Sequence, residues 1–451
     1  MEKIDTLRDY GLFDALVPRY RSYPPANHFV DRVGQQNQEN WLGMVPSGSD
    51  VSVYIHIPFC KRLCWFCACR TQGTRTLRPV DAYVEFLIKE LWGVKKQLAP
   101  DVKVARLHLG GGTPTILSPG TMTLLLNEVF KAFPRSAQFE FSVEIDPTEA
   151  SRDLLSTLID HGLNRASLGV QDFAPRVQDA IGRPQSLEQT RDVIAFLRDK
   201  GITALNLDVL YGLPHQTVES FGQTLDHVIG LKPNRLAIYG YAHVPWMSKR
   251  QVMIKEADLP GSETRFALAS MARARLQDTG FETIGIDHFA TPRDGLSKVQ
   301  ASGQVRRNFQ GYTDDQSQTL IGIGASAISK FPQGYLQNAV ATSAYQNRIT
   351  QTGLAAHKGY AMNGTDKLVG CIVEDLLCRF ELNTAKLALD FPQGQSAVRE
   401  ICVLLVRQFP DVFFINQAGL KMHDWAQPLV RIIANVVDEF TATELSHSTA
   451  I

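Results

Sequence analysis

The alternation of strand-like and helix-like stretches constrains this chain more than any other feature of it. From residue 51 a short β-branched and aromatic run, 51–57, gives way to a helical stretch over about 80–98. Further strands are expected at 104–109, 138–145, 164–170, 202–212 and 234–241, with helical periodicity between them. Ser118 followed by Pro119 predicts a helix start, an N-cap and a first-turn proline. Six βα units imply parallel pairing, because parallel neighbours need a crossover rather than a tight hairpin. Periodicity leaves an open doubly wound sheet and a partial barrel both available. The polar residues point to the barrel. Tyr54, the Gly110–Gly112 run, Glu144, Gln171, Asp208 and Tyr241 fall at or just past the carboxyl ends of successive strands, where parallel barrels converge on one mouth.

Three regions are expected: an arm over 1–48, a catalytic domain over 49–300, and a mainly helical domain over 301–451. The arm carries a Pro- and aromatic-rich stretch, RYRSYPP, without periodicity. After about 300 the repeat stops and helices are expected at 367–380 and 395–409, followed by a short hairpin near Gly419. Such an ending resembles a winged helix, but residues 331–451 hold nine Lys and Arg against eleven Asp and Glu, which phosphates would repel. A lid is the better expectation than a nucleic-acid reader. Over the whole chain 46 basic and 46 acidic side chains cancel, so any polyanion must be met by a local patch. No apolar run is long enough for a membrane span, and the first residues lack the order of a signal peptide. The expectation is a cytoplasmic monomer without nucleic-acid or membrane partners.

Seven cysteines in 451 residues are too few for a disulfide scaffold, yet four of them crowd into ten residues: Cys60, Cys64, Cys67 and Cys69. Cys371, Cys378 and Cys402 lie scattered in apolar surroundings and are expected to pack as small hydrophobes. Soft sulfur ligands select iron–sulfur clusters or zinc. A structural zinc site normally draws a second ligand pair from a distant stretch, and none exists in this sequence. From spacing alone a cluster, zinc and catalytic thiol chemistry all remain open.

Cys60-x-x-x-Cys64-x-x-Cys67 matches the motif of the radical S-adenosylmethionine family, and Gly110-Gly111-Gly112-Thr113-Pro114 resembles its glycine-rich loop. YIHIPFCKRLCWFCAC, HLGGGTPT, SVEIDP, LGVQDF, LDVLYGLPHQT, YAHVP, IDHFA, RRNFQGYT and GIGASAIS, with the early RYRSYP, come in the order found in oxygen-independent coproporphyrinogen III oxidases. The resemblance covers roughly 18–380. It implies a partial (β/α)6 barrel with an N-terminal arm and a helical C-terminal domain, one [4Fe–4S] cluster, two S-adenosylmethionine molecules, and an unidentified low-potential electron donor. The implied reaction turns two propionates of coproporphyrinogen III into vinyl groups, giving protoporphyrinogen IX.

Carried over by motif, the resemblance makes Cys60, Cys64 and Cys67 the cluster ligands and Cys69 an extra cysteine near the substrate or second cofactor. Tyr54, Gly111, Glu144, Ala242 and Ile328 would line the first S-adenosylmethionine, with Tyr54 and Cys69 closest to the chemistry. Phe66, Gly112, Thr113, Gln171, Arg183 and Asp208 would line the second. Arg19, Arg21, Lys61, Arg62, Arg306 and Arg307 are candidate cations for a substrate with four carboxylates, and His288 a further candidate. Two relatives compete: a haem-trafficking protein, which usually has an aromatic residue in place of the last cysteine and a shorter N-terminus, and a radical haem methyltransferase. Cys69 and the RYRSYP arm favour the oxidase.

Overall fold

The computed structural model describes residues 2–440 and 450–451. Six parallel strands form where the sequence places them: β1 (Asp50–Ile57), β2 (Lys103–Gly111), β3 (Arg135–Ile145), β4 (Arg165–Gln171), β5 (Ala204–Tyr211) and β6 (Arg235–Gly240). Burial alternates with period two along β4 and β5. In β5, Leu205, Leu207 and Val209 are buried while Ala204, Asn206 and Asp208 are half-buried; β4 repeats the pattern with Ala166, Leu168 and Val170. The apolar set packs against the crossover helices, each fully buried Leu or Val contributing about 1.5–3 kcal/mol. The alternate set, which is largely polar, faces the concave side.

Four crossover helices start where a hydroxyl accepts from their first turn: Ser118 for α2 (Pro119–Ala132), Ser151 for α3 (Arg152–Asp160), Ser186 for α4 (Leu187–Asp199) and Thr217 for α5 (Val218–Gly230). The first crossover, α1 (Arg78–Gln97), begins with a proline in its first turn.

The sheet is wider than expected. Two short strands, β7 (Glu282–Ile284) and β8 (His288–Ala290), pair antiparallel beyond β6. On the other side β9 (Leu320–Ile323) runs parallel to β1, and β10 (Ile328–Phe331), β11 (Gly334–Asn338) and β12 (Ala356–Ala361) continue antiparallel. The order is β12-β11-β10-β9-β1-β2-β3-β4-β5-β6-β8-β7. The expectation of helices from 301 onward is therefore corrected for 320–338 and 356–361, which complete the sheet on the free edge of β1, while Thr342–Thr352 between them is helical as expected. Helices do dominate later, with α6 (Gly364–Arg379) and α7 (Gln395–Gln408) where they were expected. The hairpin forms from 413–415 and 419–422, and Gly419 opens its second strand at φ +144.

Two of the apolar cores among the described residues are large. One lies between the sheet and its crossover helices. The other joins Leu7, Leu12, Phe13, Val17, Tyr20 and Tyr23 of the arm to α6, α7 and the last helix, Val430–Val437. The arm thus belongs to the C-terminal core, while its next segment pairs Val30 with Gly359 and covers the β12 edge. Among the described residues no helix is long and apolar enough to cross a membrane.

At the amino end of the barrel the inward residues form an ion network. Arg106 reaches Glu140 at 3.0 Å and Asp314 at 3.4 Å, Arg165 reaches Glu140 at 2.9 Å, and Arg235 binds both Asp294 and Asp314. Asp314 thereby holds the segment leading into β9 against β2 and β6.

Candidate active site

Residues from the carboxyl ends of β1 to β6, the arm and the C-terminal region enclose one cavity of about 1150 Å³. That side chains of β1 and β6 share it means the sheet curves into a partial barrel. Cys60, Cys64, Cys67 and Cys69, Tyr54, Phe66, Gly111, Gly112, Thr113, Glu144, Gln171, Arg183, Asp208, Ala242 and Ile328 all line this cavity. Every cluster and cofactor residue proposed from motifs is brought there.

The cysteine loop leaves β1 and is held on three sides. Thr113 N donates to Phe59 O and Gly112 N to Ile57 O, both at 2.8 Å, so the glycine-rich loop zips against the exit of β1. A Cβ on Gly112 would stand 2.6 Å from Phe59 O, and one on Gly111, at φ +112, would meet the His56 ring at 2.5 Å. These glycines therefore serve the fit between two loops of the protein. Trp65 N donates to Ile181 O at 2.9 Å on a second side.

His56 makes the third tie, and motif reasoning did not single it out. Its Nε2 lies 3.2 Å from Arg70 O and its Nδ1 2.9 Å from Tyr54 Oη. A carbonyl can only accept, so Nε2 carries the proton; burial pushes this imidazole down and keeps it neutral, so Nδ1 accepts from the Tyr54 hydroxyl. Tyr54 is thereby aimed at the cavity floor, stacked on His108 with centroids 5.8 Å apart.

The carboxylates sit in different environments. Burial alone would raise Glu144, but His108 Nε2 at 3.3 Å and Gly111 N at 3.0 Å outweigh it and hold the group below its ordinary value. Asp208 is raised, by burial first and by the nearby Glu144 charge, against donors from Asn206 and Ser167. Gln171 adopts φ +69 at a bulge where the β4–β5 register slips, which re-aims its side chain.

Arg183 Nη1 bonds Asp146 at 2.9 Å and donates to Cys64 Sγ at 3.4 Å, and its Nη2 reaches Gly169 O. Its Nε is buried without a partner. The neighbouring Cys67 raises the Cys69 thiol well above its ordinary value, and all the cysteines are free thiols. Among the described residues no three His, Cys, Asp or Glu converge on a point suited to one metal ion. Three soft donors set along one cavity wall, with an unsatisfied guanidinium N–H beside one of them, fit a multi-atom sulfur-bound group.

The same cavity is rich in cations. Of the proposed cations, Arg19, Arg21, Arg62 and Arg307 line the cavity. Lys61 pairs with Glu149 and Arg306 with Glu374, and neither lines it. His288 is also outside: its Nδ1 bonds Asp287 and its ring packs on Tyr312, a structural place. Arg265, Arg273 and Arg431 line the cavity from helices distant in sequence, with no local motif to mark them. Burial first, then Arg431 and Arg21, push Arg19 down. Asp287 is the counter-charge; burial would raise it, but Arg307 and His288 hold it at about 2. Nε and Nη1 of Arg307 are buried with no hydrogen-bond partner, although Asp287 is 3.8 Å from Nη1.

Residues 54–228, which carry the cysteines, the glycine-rich loop and most of the parallel strands, match the Radical SAM superfamily. The class is that of the radical S-adenosylmethionine proteins, which implies a [4Fe–4S] cluster and S-adenosylmethionine. An oxygen-independent coproporphyrinogen III oxidase of Paracoccus denitrificans is 46% identical over 451 residues, covering 100% of both chains. The oxidase of Escherichia coli K12 is 38% identical over 82% of this chain and 80% of its own. The solved structure of coproporphyrinogen III oxidase from Escherichia coli superposes with a TM-score of 0.89 at 34% identity, covering 94% of this chain and 97% of the other. The chain belongs to the family of oxygen-independent coproporphyrinogen III oxidases.

Proposed function

We propose that this chain decarboxylates two propionates of coproporphyrinogen III to vinyl groups without oxygen, giving protoporphyrinogen IX in haem synthesis. The observation that carries the reading is that the cysteine cluster and several arginines line one cavity, in a chain that aligns end to end with an oxidase of this name. Cys60, Cys64 and Cys67 would hold the cluster. Once bound, the cluster and S-adenosylmethionine supply an electron and a 5′-deoxyadenosyl radical able to take hydrogen from unactivated carbon. Each propionate loses a hydrogen atom, carbon dioxide and one electron, the last to an acceptor outside the chain.

The chain's own residues bind, orient and exclude water. Tyr54, Gly111, Glu144, Ala242 and Ile328 take one S-adenosylmethionine; the ionised Glu144 suits a cationic amino group or ribose hydroxyls. Phe66, Gly112, Thr113, Gln171, Arg183 and Asp208 take a second, with the free Nε of Arg183 available to a carboxylate. Arg21, Arg265, Arg273 and Arg307 meet the substrate carboxylates. Cys69 stands beside Cys67 on the substrate side of the trio. A low-potential donor outside the chain supplies the electrons.

Anaerobic protein should contain iron and sulfide and release 5′-deoxyadenosine and carbon dioxide together when given coproporphyrinogen. Deoxyadenosine without carbon dioxide would replace this reading by another radical reaction. Haem bound stoichiometrically without turnover would replace it by a haem carrier.

A further inference from the structure

The chain is neutral overall, but its charge is unevenly spread around the cysteines. Residues 60–78 hold Lys61, Arg62, Arg70, Arg75 and Arg78 and no acid; residues 245–255 hold Lys249, Arg250 and Lys255 and no acid. The fold sews these two segments together. Ser248 Oγ donates to Cys67 O at 2.9 Å, Gln251 Nε2 to Phe66 O at 2.7 Å, and Arg250 to Thr71 O and Oγ1, each at 2.8 Å. Gln251 is fully buried at the seam. The second segment is therefore the outer cover of the cysteine loop.

That cover presents large apolar side chains to solvent: Trp246 is 56% exposed, Val252 67% and Met253 56%. None of these three lines the cavity, nor do Lys249, Lys255, Arg75 or Arg78. The four cations are exposed and form no ion pair among the described residues. Exposed aromatic and methionine side chains beside unpaired cations, which outnumber the acids Glu256 and Asp258 that follow in the chain, mark an interaction face rather than an ordinary surface. Being outside the cavity, the face is not needed to hold the substrate.

We propose that the double loop 60–78 and 245–255 docks an acidic one-electron carrier protein, with Trp246, Val252 and Met253 as the apolar centre and Lys249 and Lys255 as the charged rim. This rests on the cysteines holding the cluster. In the complex one electron leaves the reduced carrier and enters the cluster, and no atom is transferred. Acidity in the carrier follows from the charge of the face, and a small apolar centre with a charged rim suits a transient, salt-sensitive encounter.

The test compares the cluster-loaded wild type with the double variant Lys249→Glu/Lys255→Glu and with Trp246→Ser. A control, Arg399→Glu/Arg407→Glu, makes the same charge change on exposed positions of α7. The probe is an acidic flavodoxin. Its binding, read by titration calorimetry without turnover, should weaken at least about tenfold in the double variant and in Trp246→Ser, and for the wild type should weaken as salt rises. The control should bind as the wild type does. With dithionite as reductant, kcat and the substrate KM should be unchanged in all of them.

Equal flavodoxin binding by wild type and double variant, or an equal loss in the control, overturns the proposal. A rise in substrate KM under dithionite would reassign the face to steering the tetracarboxylate. Loss of sedimentation with anionic phosphatidylglycerol vesicles, with flavodoxin binding intact, would reassign it to a membrane surface. Iron and sulfide analysis of the same preparations reports separately on whether the cysteines hold a cluster.

Discussion

At His56 a neutral ring with no reacting atom of its own holds the cysteine loop to β1, donating to Arg70 O and accepting from Tyr54. His56→Phe keeps the ring's volume and removes both bonds. The expected outcome is a lower iron content per chain and a kcat reduced by about tenfold, the scale of losing one or two buried hydrogen bonds. Iron analysis and anaerobic turnover check it; unchanged iron and kcat would mean the tie is dispensable. The nearby cations act on binding instead. Arg21→Ala should raise the substrate KM by about tenfold and leave iron content at the wild-type level. An unchanged KM would remove Arg21 from the substrate site.

Between elements, the glycine-rich loop and the β9–β10 turn are the two close fits around the site. Gly112→Ala drives a methyl into the Phe59 and Ile57 carbonyls, and backbone cannot step aside cheaply. Its expected mark is a thermal midpoint several degrees lower together with reduced iron incorporation, read by scanning calorimetry and metal analysis. The β9–β10 turn is clamped from α1. Glu90 accepts from Gly324 N, Asn338 Nδ2 and Tyr345 Oη, and Tyr83 Oη accepts from Ala325 N while donating to His56 O. Burial raises Glu90 to about 7 despite those donors. An unfolded glutamate has a pKa of about 4.3, so between about 4.3 and 7 the folded state binds more protons than the unfolded one and stability falls as pH rises. This contribution is fully present below about 4.3 and lost by about 7, on the order of a few kcal/mol. Denaturant titrations of Glu90→Gln across that range should lack this part of the slope; an identical slope would show that Glu90 does not titrate there.

The scale of the whole molecule settles what a motif search leaves open. Cysteine spacing, the glycine run and the strand-end residues Tyr54, Glu144, Gln171 and Asp208 were legible because each is local: one loop, or one step of a period-two pattern. His56 was missed although it stands in the same block, since its value lies in a carbonyl 14 residues away. The arginines of the cavity were half legible. Arg19 and Arg21 were marked by an arm motif, whereas Arg265, Arg273 and Arg431 sit on helices without a local motif and acquire meaning only where those helices end up. The strands at 320–361 were missed for a related reason: they are four to six residues long and take their stability from the edge of β1, more than 260 residues earlier.

Six βα repeats and a knot of thiols after the first strand were decided by the amino-acid order alone, through side-chain period and through the chemistry of sulfur, both of which operate over a few residues. The closing of the cavity was decided by tertiary structure: the arm joining the C-terminal core, the sheet widening past β1, and distant cations meeting in one cavity. Such contacts depend on which surfaces remain uncovered once the barrel has formed, and no short window of sequence carries that information.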